Sequence, residues 1–99
     1  MNPWWSPYTQ DQFEIVTEVT NEPPCQLIVW NDDVNTFDWV IQTLVEICNH
    51  TPEQAEQSAY LIHYGGKHAV KIGFYEDLKP ACEAIVDRGI QATIEAMAE

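Results

Sequence analysis

The order in which two hydrophobic periods alternate from Cys25 onward restricts the fold of this chain more than any other feature. Strands carry apolar residues at alternate positions or in short runs, whereas helices repeat them every three to four residues. The pattern predicts six elements: strand 26–30, helix 37–48, helix 52–64, strand 68–74, helix 76–87 and strand 90–95. The order β-α-α-β-α-β predicts a two-layer α/β (α+β) domain, with three helices covering a small three-stranded antiparallel or mixed sheet.

Turn and cap residues fix several of these boundaries. The run Asn31-Asp32-Asp33 ends the first strand, since Asn and Asp favour turns, and Thr36 is placed to cap the first helix. The run Thr51-Pro52-Glu53-Gln54 is a capping box with proline at the first helical position. The pair Gly65-Gly66 ends the second helix, because glycine accepts the left-handed conformation of a helix terminus.

The first 24 residues differ in character from the rest. They carry four of the six prolines and no sustained period, so we expect residues 1–24 to form an extended N-terminal arm and residues 25–99 the domain. A short strand near residues 13–19 is compatible with the pattern. The pair Trp4-Trp5 could dock on the domain, dock on a partner, or stay loose.

Length and cysteine content set the class and the expected compartment. A chain of 99 residues has room for one core. The N-terminus lacks the basic patch and apolar stretch of a secretory signal. The cysteines Cys25, Cys48 and Cys82 are odd in number and form no C-x-x-C pair, which favours free thiols in a reducing compartment. The expected location is therefore cytoplasmic.

The charge is strongly acidic. Sixteen Asp and Glu against four Lys and Arg give a net charge of −12. Such a field repels phosphate backbones and anionic lipid, so we expect no nucleic-acid and no membrane partner. It suits a positively charged ligand such as a peptide α-ammonium group, although acidity alone also keeps a small protein in solution.

Three segments hold the residues that fold alone explains least well. They are Asn31-Asp32-Asp33 after the first strand, His63 late in the second helix, and an apolar set on the first two helices: Phe37, Val40, Ala59 and Ile62. A free N-terminus needs converging acceptors for its three N–H donors, and a bulky first side chain needs a dry pocket beside them. Taken singly, these segments are also explained as a turn and cap, a dipole-complementing histidine and core residues.

An enzymatic function has little support in the sequence. It contains no G-x-S-x-G, no H-E-x-x-H, no phosphate-binding glycine loop and no metal-spaced Cys/His cluster. A divalent metal on Asp32, Asp33 and His63 is disfavoured, because first-row metal sites show clearer ligand sets. We therefore expect no catalytic residue, no cofactor and no metal site.

Two motifs resemble those of the ClpS family. Residues 28–40, with Asn31-Asp32-Asp33 between a hydrophobic strand and a helix, are similar to its first motif. Residues 55–67, ending in His63-Tyr64-Gly65-Gly66-Lys67, are similar to its second helix and His-x-x-Gly-Lys ending, and the likeness covers residues 25–95. The resemblance implies a non-enzymatic adaptor. It would recognise N-degrons with bulky N-terminal Phe, Tyr, Trp or Leu and deliver them to the N-terminal domain of a Clp/Hsp100 unfoldase, ClpA or ClpC, working with ClpP.

The same resemblance implies roles for particular residues. Asn31, Asp32 and His63 would hold the α-amino group, with Asp33 and Asn35 in support. The side-chain pocket would be walled by five apolar residues: Phe37, Val40, Ala59, Ile62 and Ile90.

The chain also departs from the family pattern. Asn35 stands where Thr is usual, Phe37 where Met is usual, and Ala59 where Met often narrows the pocket mouth against β-branched residues. The third helix is shorter than in typical members and lacks a Glu-Thr-Lys stretch, which leaves the unfoldase open. Two alternatives stay open at this point, a degron-binding domain of a ubiquitin-ligase system and a structural or ribosome-associated interaction domain.

Overall fold

A three-stranded sheet with three helices makes up the fold, which the computed structural model describes for residues 23–97. The elements are β1 (Cys25–Trp30), α1 (Phe37–Cys48), α2 (Pro52–Gly65), β2 (Lys67–Gly73), α3 (Tyr75–Asp87) and β3 (Ala92–Ala96). The central strand β1 pairs antiparallel with β2 on one side and with β3 on the other. The predicted element order is confirmed, and the sheet is antiparallel rather than mixed.

Most of the predicted arm lies outside the described residues. This holds for Trp4-Trp5 and for the strand allowed near residues 13–19, so both stay predictions. Its last residues, Pro23 and Pro24, are exposed and precede β1. The Met97 N–H donates to the Pro24 carbonyl at 3.0 Å, so the entry to β1 runs beside the exit from β3.

The cap residues act as their types predict. The Thr36 hydroxyl accepts from the Trp39 N–H at 3.1 Å and starts α1. At α2, Thr51 and Gln54 form a reciprocal capping box, with bonds of 3.1 and 3.0 Å. Because these bonds join residues three apart, short-range sequence alone was sufficient to locate both helix starts.

The boundaries around β3 differ from the prediction. The pattern predicts a strand from residue 90, but β3 begins at Ala92. Gly89 has a left-handed φ of +87°, and the Ile90 N–H donates back to the Ile85 carbonyl at 3.4 Å. Ile90 therefore closes the end of α3 instead of pairing in the sheet. Smaller shifts occur at β2, which spans 67–73 rather than 68–74, and at α3, which begins at Tyr75 rather than Glu76.

The core lies between the sheet and the helices. Its largest fully buried apolar side chains come from β1, α1 and α3: Leu27, Val29, Leu44, Leu78 and Ile85. Cys25 and Cys48 are buried with them and Cys82 is half-buried, and all three cysteines are free thiols. No helix among residues 23–97 is both long enough and apolar enough to cross a membrane.

An ion pair ties α1 to the end of α3. Arg88 bridges to Glu46 at 2.8 Å and donates to the hydroxyl of the buried Thr43 at 3.4 Å. The Trp39 indole N–H donates to the Arg88 carbonyl at 3.1 Å, and the Arg88 guanidinium lies 5.2 Å from the Trp39 ring centroid. These contacts hold the turn at Gly89 against α1.

Candidate functional site

The turn after β1 is organised around the Asp32 carboxylate. Its Oδ1 accepts from the backbone N–H groups of Val34 at 2.9 Å and Asn35 at 2.8 Å. Its Oδ2 accepts from the Asn35 side-chain amide at 2.8 Å. An Asp side chain that caps its own following backbone is the usual device for holding such a turn.

These bonds favour the ionised form of Asp32. The Asn35 backbone N–H is the main cause that lowers the pKa of this carboxyl. Partial burial opposes it, and the Asn35 side chain and the Val34 N–H add to the lowering. Donors aimed at a carboxylate stabilise its negative charge. Asp32 is thus a fixed anion at neutral pH.

Asn35 joins this turn to a segment that is distant in sequence, the turn after α3. Its side-chain amide also donates to the Gly89 carbonyl at 2.8 Å, in the turn after α3. One amide group therefore bridges the Asp32 carboxylate and a backbone carbonyl 54 residues away. The sequence analysis gave Asn35 only a supporting role and did not predict its bond to Gly89.

The end of α2 meets the same turn. The Asn31 N–H donates to the Gly66 carbonyl at 2.9 Å, and the Gly66 N–H donates to the Ile62 carbonyl at 2.9 Å. Gly66 has a φ of +91°, a conformation that favours glycine. The bond to Gly66 brings Asn31 beside the last turn of α2, which carries His63.

A cavity of about 470 Å³ opens at this junction. Nine of the ten predicted site residues line it: Asn31, Asp32, Asp33, Asn35, Phe37, Val40, Ala59, Ile62 and His63. The structure thus brings the polar and apolar sets together. Ile90 is the exception, because the turn at Gly89 sends it into the core, where it is 2% exposed.

Two lining residues, Tyr60 and Tyr64, are absent from the predicted site. The Phe37 ring meets the Tyr60 ring edge-to-face, with centroids 5.2 Å apart, and the Tyr60 ring stacks on the Tyr64 ring at 5.7 Å. The His63 ring lies edge-on to Tyr64 at 4.6 Å. An aromatic pair at positions i and i+4 on a helix face is the sequence signal that could have revealed them.

Burial separates the lining into an apolar depth and a polar rim. Ala59 and Ile62 are each 2% exposed, whereas Asn31, Asp33 and His63 are exposed. Residues 23–97 contain no cluster of three or more His, Cys, Asp or Glu side chains able to hold a metal ion. The arrangement suits an organic ligand that has one apolar group and one group seeking an anion and acceptors.

The fold and the cavity thus define a small α/β binding domain. Comparison with known proteins places it more closely, since the family model described as "ATP-dependent Clp protease adaptor protein ClpS" matches residues 20–93. The chain belongs to the ClpS family, whose members are adaptors of the Clp protease and not enzymes.

Individual relatives agree with this assignment. The chain is 32% identical to the ATP-dependent Clp protease adapter protein ClpS of Treponema denticola, over 69% of this chain and 68% of that protein. It is 22% identical to the ClpS of Corynebacterium aurimucosum, over 95% of this chain and 85% of that protein. A solved structure, Agrobacterium tumefaciens ClpS2 bound to L-phenylalaninamide, superposes with a TM-score of 0.73 at 15% identity, covering 76% of this chain and 98% of that one. At that identity the superposition supports the fold alone.

Proposed function

We propose that this chain binds proteins by a bulky hydrophobic N-terminal residue, Phe, Tyr, Trp or Leu, and delivers them to a Clp unfoldase. The observation that carries the proposal is the convergence of Asn31, Asp32 and His63 on the cavity whose buried lining is apolar. The ligand named for the Agrobacterium relative, L-phenylalaninamide, has a free amino group and a phenyl ring. That chemistry matches both halves of the cavity.

The α-ammonium group would bind at the polar rim. A carboxylate offers about four lone-pair positions, and three of those on Asp32 are taken by its own turn. One position remains for an ammonium N–H, and the fixed negative charge strengthens that bond. The Asn31 side-chain carbonyl and a His63 ring nitrogen would accept the other two donors.

The first side chain would enter the apolar depth. Phe37, Val40, Ala59 and Ile62 line that region, and the edge-to-face contact with Tyr60 holds the Phe37 ring. The volume of about 470 Å³ lies within the range of ordinary ligand pockets. A buried aromatic or leucine side chain would gain about 1.5–3 kcal/mol from leaving water.

Delivery is the second half of the proposal. A cytoplasmic Clp unfoldase, ClpA or ClpC, would receive the adaptor through its N-terminal domain and pass the substrate to ClpP. Membership of the ClpS family supports this role over a ubiquitin-ligase or ribosomal one. A reporter with N-terminal Phe should be degraded faster by ClpA–ClpP or ClpC–ClpP when this chain is added, and no acceleration with either unfoldase would refute delivery.

The binding half has a sharp test. Fluorescence anisotropy would compare a peptide with N-terminal Phe and its N-acetylated twin, which keeps the side chain but loses the charge and donors. We expect only the free amine to bind. Asp32→Asn keeps the side-chain size and removes the charge, and a charge-assisted hydrogen bond contributes about 1.5–3 kcal/mol. Binding should weaken by at least about tenfold, at about 1.4 kcal/mol per decade.

The neighbouring Asp33 supplies the matched control. It lines the same cavity and carries the same charge, but it is exposed. Asp33→Asn should therefore weaken binding by less than about threefold, since exposed charge pairs contribute about 0–1 kcal/mol. Equal effects of the two substitutions would mean that the general acidic field, and not the Asp32 carboxylate, attracts the amine.

A further inference from the structure

The outer face of α2 presents two tyrosine rings at the mouth of the cavity. Tyr60 and Tyr64 lie one helical turn apart, with ring centroids 5.7 Å apart and planes inclined by 15°. They are 48% and 75% exposed, so both rings contact solvent. The Tyr60 ring contacts the Phe37 ring edge-to-face, whereas the Tyr64 ring is the more exposed of the two.

This surface lies next to the place where a bound chain would continue. The centroid of the Tyr64 ring is 4.6 Å from that of the His63 ring, which under the proposed function accepts from the α-amino group. Consecutive Cα atoms are about 3.8 Å apart, so the second residue of the ligand cannot be far from His63. Its side chain is therefore within reach of the tyrosine pair.

The chemistry of the surface favours a cation. Aromatic faces attract guanidinium and ammonium groups within about 6 Å of the ring centroid. The chain already uses this contact twice, with Lys67 at 4.8 Å from the Trp30 ring and Arg88 at 5.2 Å from the Trp39 ring. Within residues 23–97 neither ring of the tyrosine pair has such a cation over it.

The negative charge on the same helix also favours a ligand cation. Glu56 is exposed and lies four residues before Tyr60, on the same face of α2. The whole chain carries a net charge of −12, so a ligand cation is drawn toward this surface. Arginine suits it better than lysine, because a planar guanidinium stacks on aromatic rings.

We propose that Tyr60 and Tyr64 form a subsite for the second residue of the bound N-terminal segment, and that this subsite prefers arginine. The inference rests on the proposed function, since it assumes an N-terminal amine beside His63. It adds a specificity determinant outside the pocket for the first residue.

The test uses peptides that start Phe-Arg or Phe-citrulline and are otherwise identical. Citrulline has the shape of arginine without its charge. The wild-type chain should bind the Phe-Arg peptide more tightly by a ratio that falls by about two- to fivefold in Tyr64→Leu, the size of an exposed cation–π contact. The long-range acidic field acts on both proteins alike, so the change in the ratio isolates the ring.

Tyr75 gives the matched control, since it is 49% exposed on α3 and does not line the cavity. Tyr75→Leu should keep the wild-type ratio. An unchanged ratio in Tyr64→Leu would overturn the subsite while leaving the proposed function standing, because Phe-citrulline would still bind through its amine. Failure of the wild-type chain to bind either peptide would overturn both.

Discussion

Replacing Asn35 by alanine tests whether the Asp32 turn depends on a single amide group. The Asn35 side chain donates to Asp32 Oδ2 and to the Gly89 carbonyl, both at 2.8 Å. The first bond is charge-assisted, worth about 1.5–3 kcal/mol, and the second is neutral, worth about 0.5–1.5 kcal/mol. Because both are near the surface, we take the lower ends and expect a loss of about 2 kcal/mol.

Urea unfolding followed by circular dichroism measures this loss. With an m-value of about 1–3 kcal/mol per molar for a small domain, the midpoint should fall by about 1 M. Gln91→Ala is the control, because Gln91 is exposed and lies two residues from Gly89. It should leave the midpoint within about 0.3 M.

The pH dependence of the stability loss in Asn35→Ala separates the contributions of the two bonds. A carboxyl whose pKa is lowered in the folded state stabilises the fold above its unfolded pKa, and that contribution disappears as the pH falls through the folded pKa. Asn35→Ala removes one cause of the lowering in Asp32. The stability difference from wild type should therefore be largest at pH 7 and smaller at pH 3, below the usual Asp pKa of about 3.9. An equal difference at both pH values would refute the role given to Asp32.

Three further predictions concern specificity, pH and the ligand. Ala59→Met should weaken binding of an N-terminal Ile peptide more than that of a Leu peptide, by about 1–3 kcal/mol, because the added atoms narrow the cavity that Ala59 lines; equal weakening would contradict this. Burial lowers the pKa of His68 and the nearby His50 lowers it further, so stability should decline as the pH falls below about 6.5, and His68→Gln should flatten that decline in thermal melts. Binding of an N-terminal Phe peptide should weaken above about pH 8, where its amine deprotonates, and a flat anisotropy profile to pH 10 would count against the ammonium site.

Short-range signals made the fold largely predictable. The caps Thr36 and Thr51 act through bonds spanning three residues, and the positions of α1 and α2 follow from them. The start of β3 could not be predicted from the sequence, because the left-handed Gly89 and the bond from Ile90 to Ile85 are properties of the folded chain.

The site could be predicted only in part from the sequence. Asn31 and Asp32 are neighbours in the chain, but nothing in their spacing relates them to His63 more than 30 residues later. The ClpS resemblance supplied that link, and the bond from Asn31 to Gly66 now gives its physical basis. Tyr60 and Tyr64 were missed because they fall on the exposed face of α2, where helical periodicity predicts solvent contact and no site.

The polar half and the apolar half of the site depend on different kinds of contact. The Asp32 anion is built from donors at Val34 and Asn35, within three residues, so most changes elsewhere leave it intact. The apolar half is assembled from α1 and α2, where the Phe37 and Tyr60 rings, which both line the cavity, contact each other edge-to-face. Substitutions on either helix therefore alter the shape of the pocket without touching the anion. Under the proposed function, selectivity for the first side chain can therefore change in this fold while the requirement for a free amine is retained.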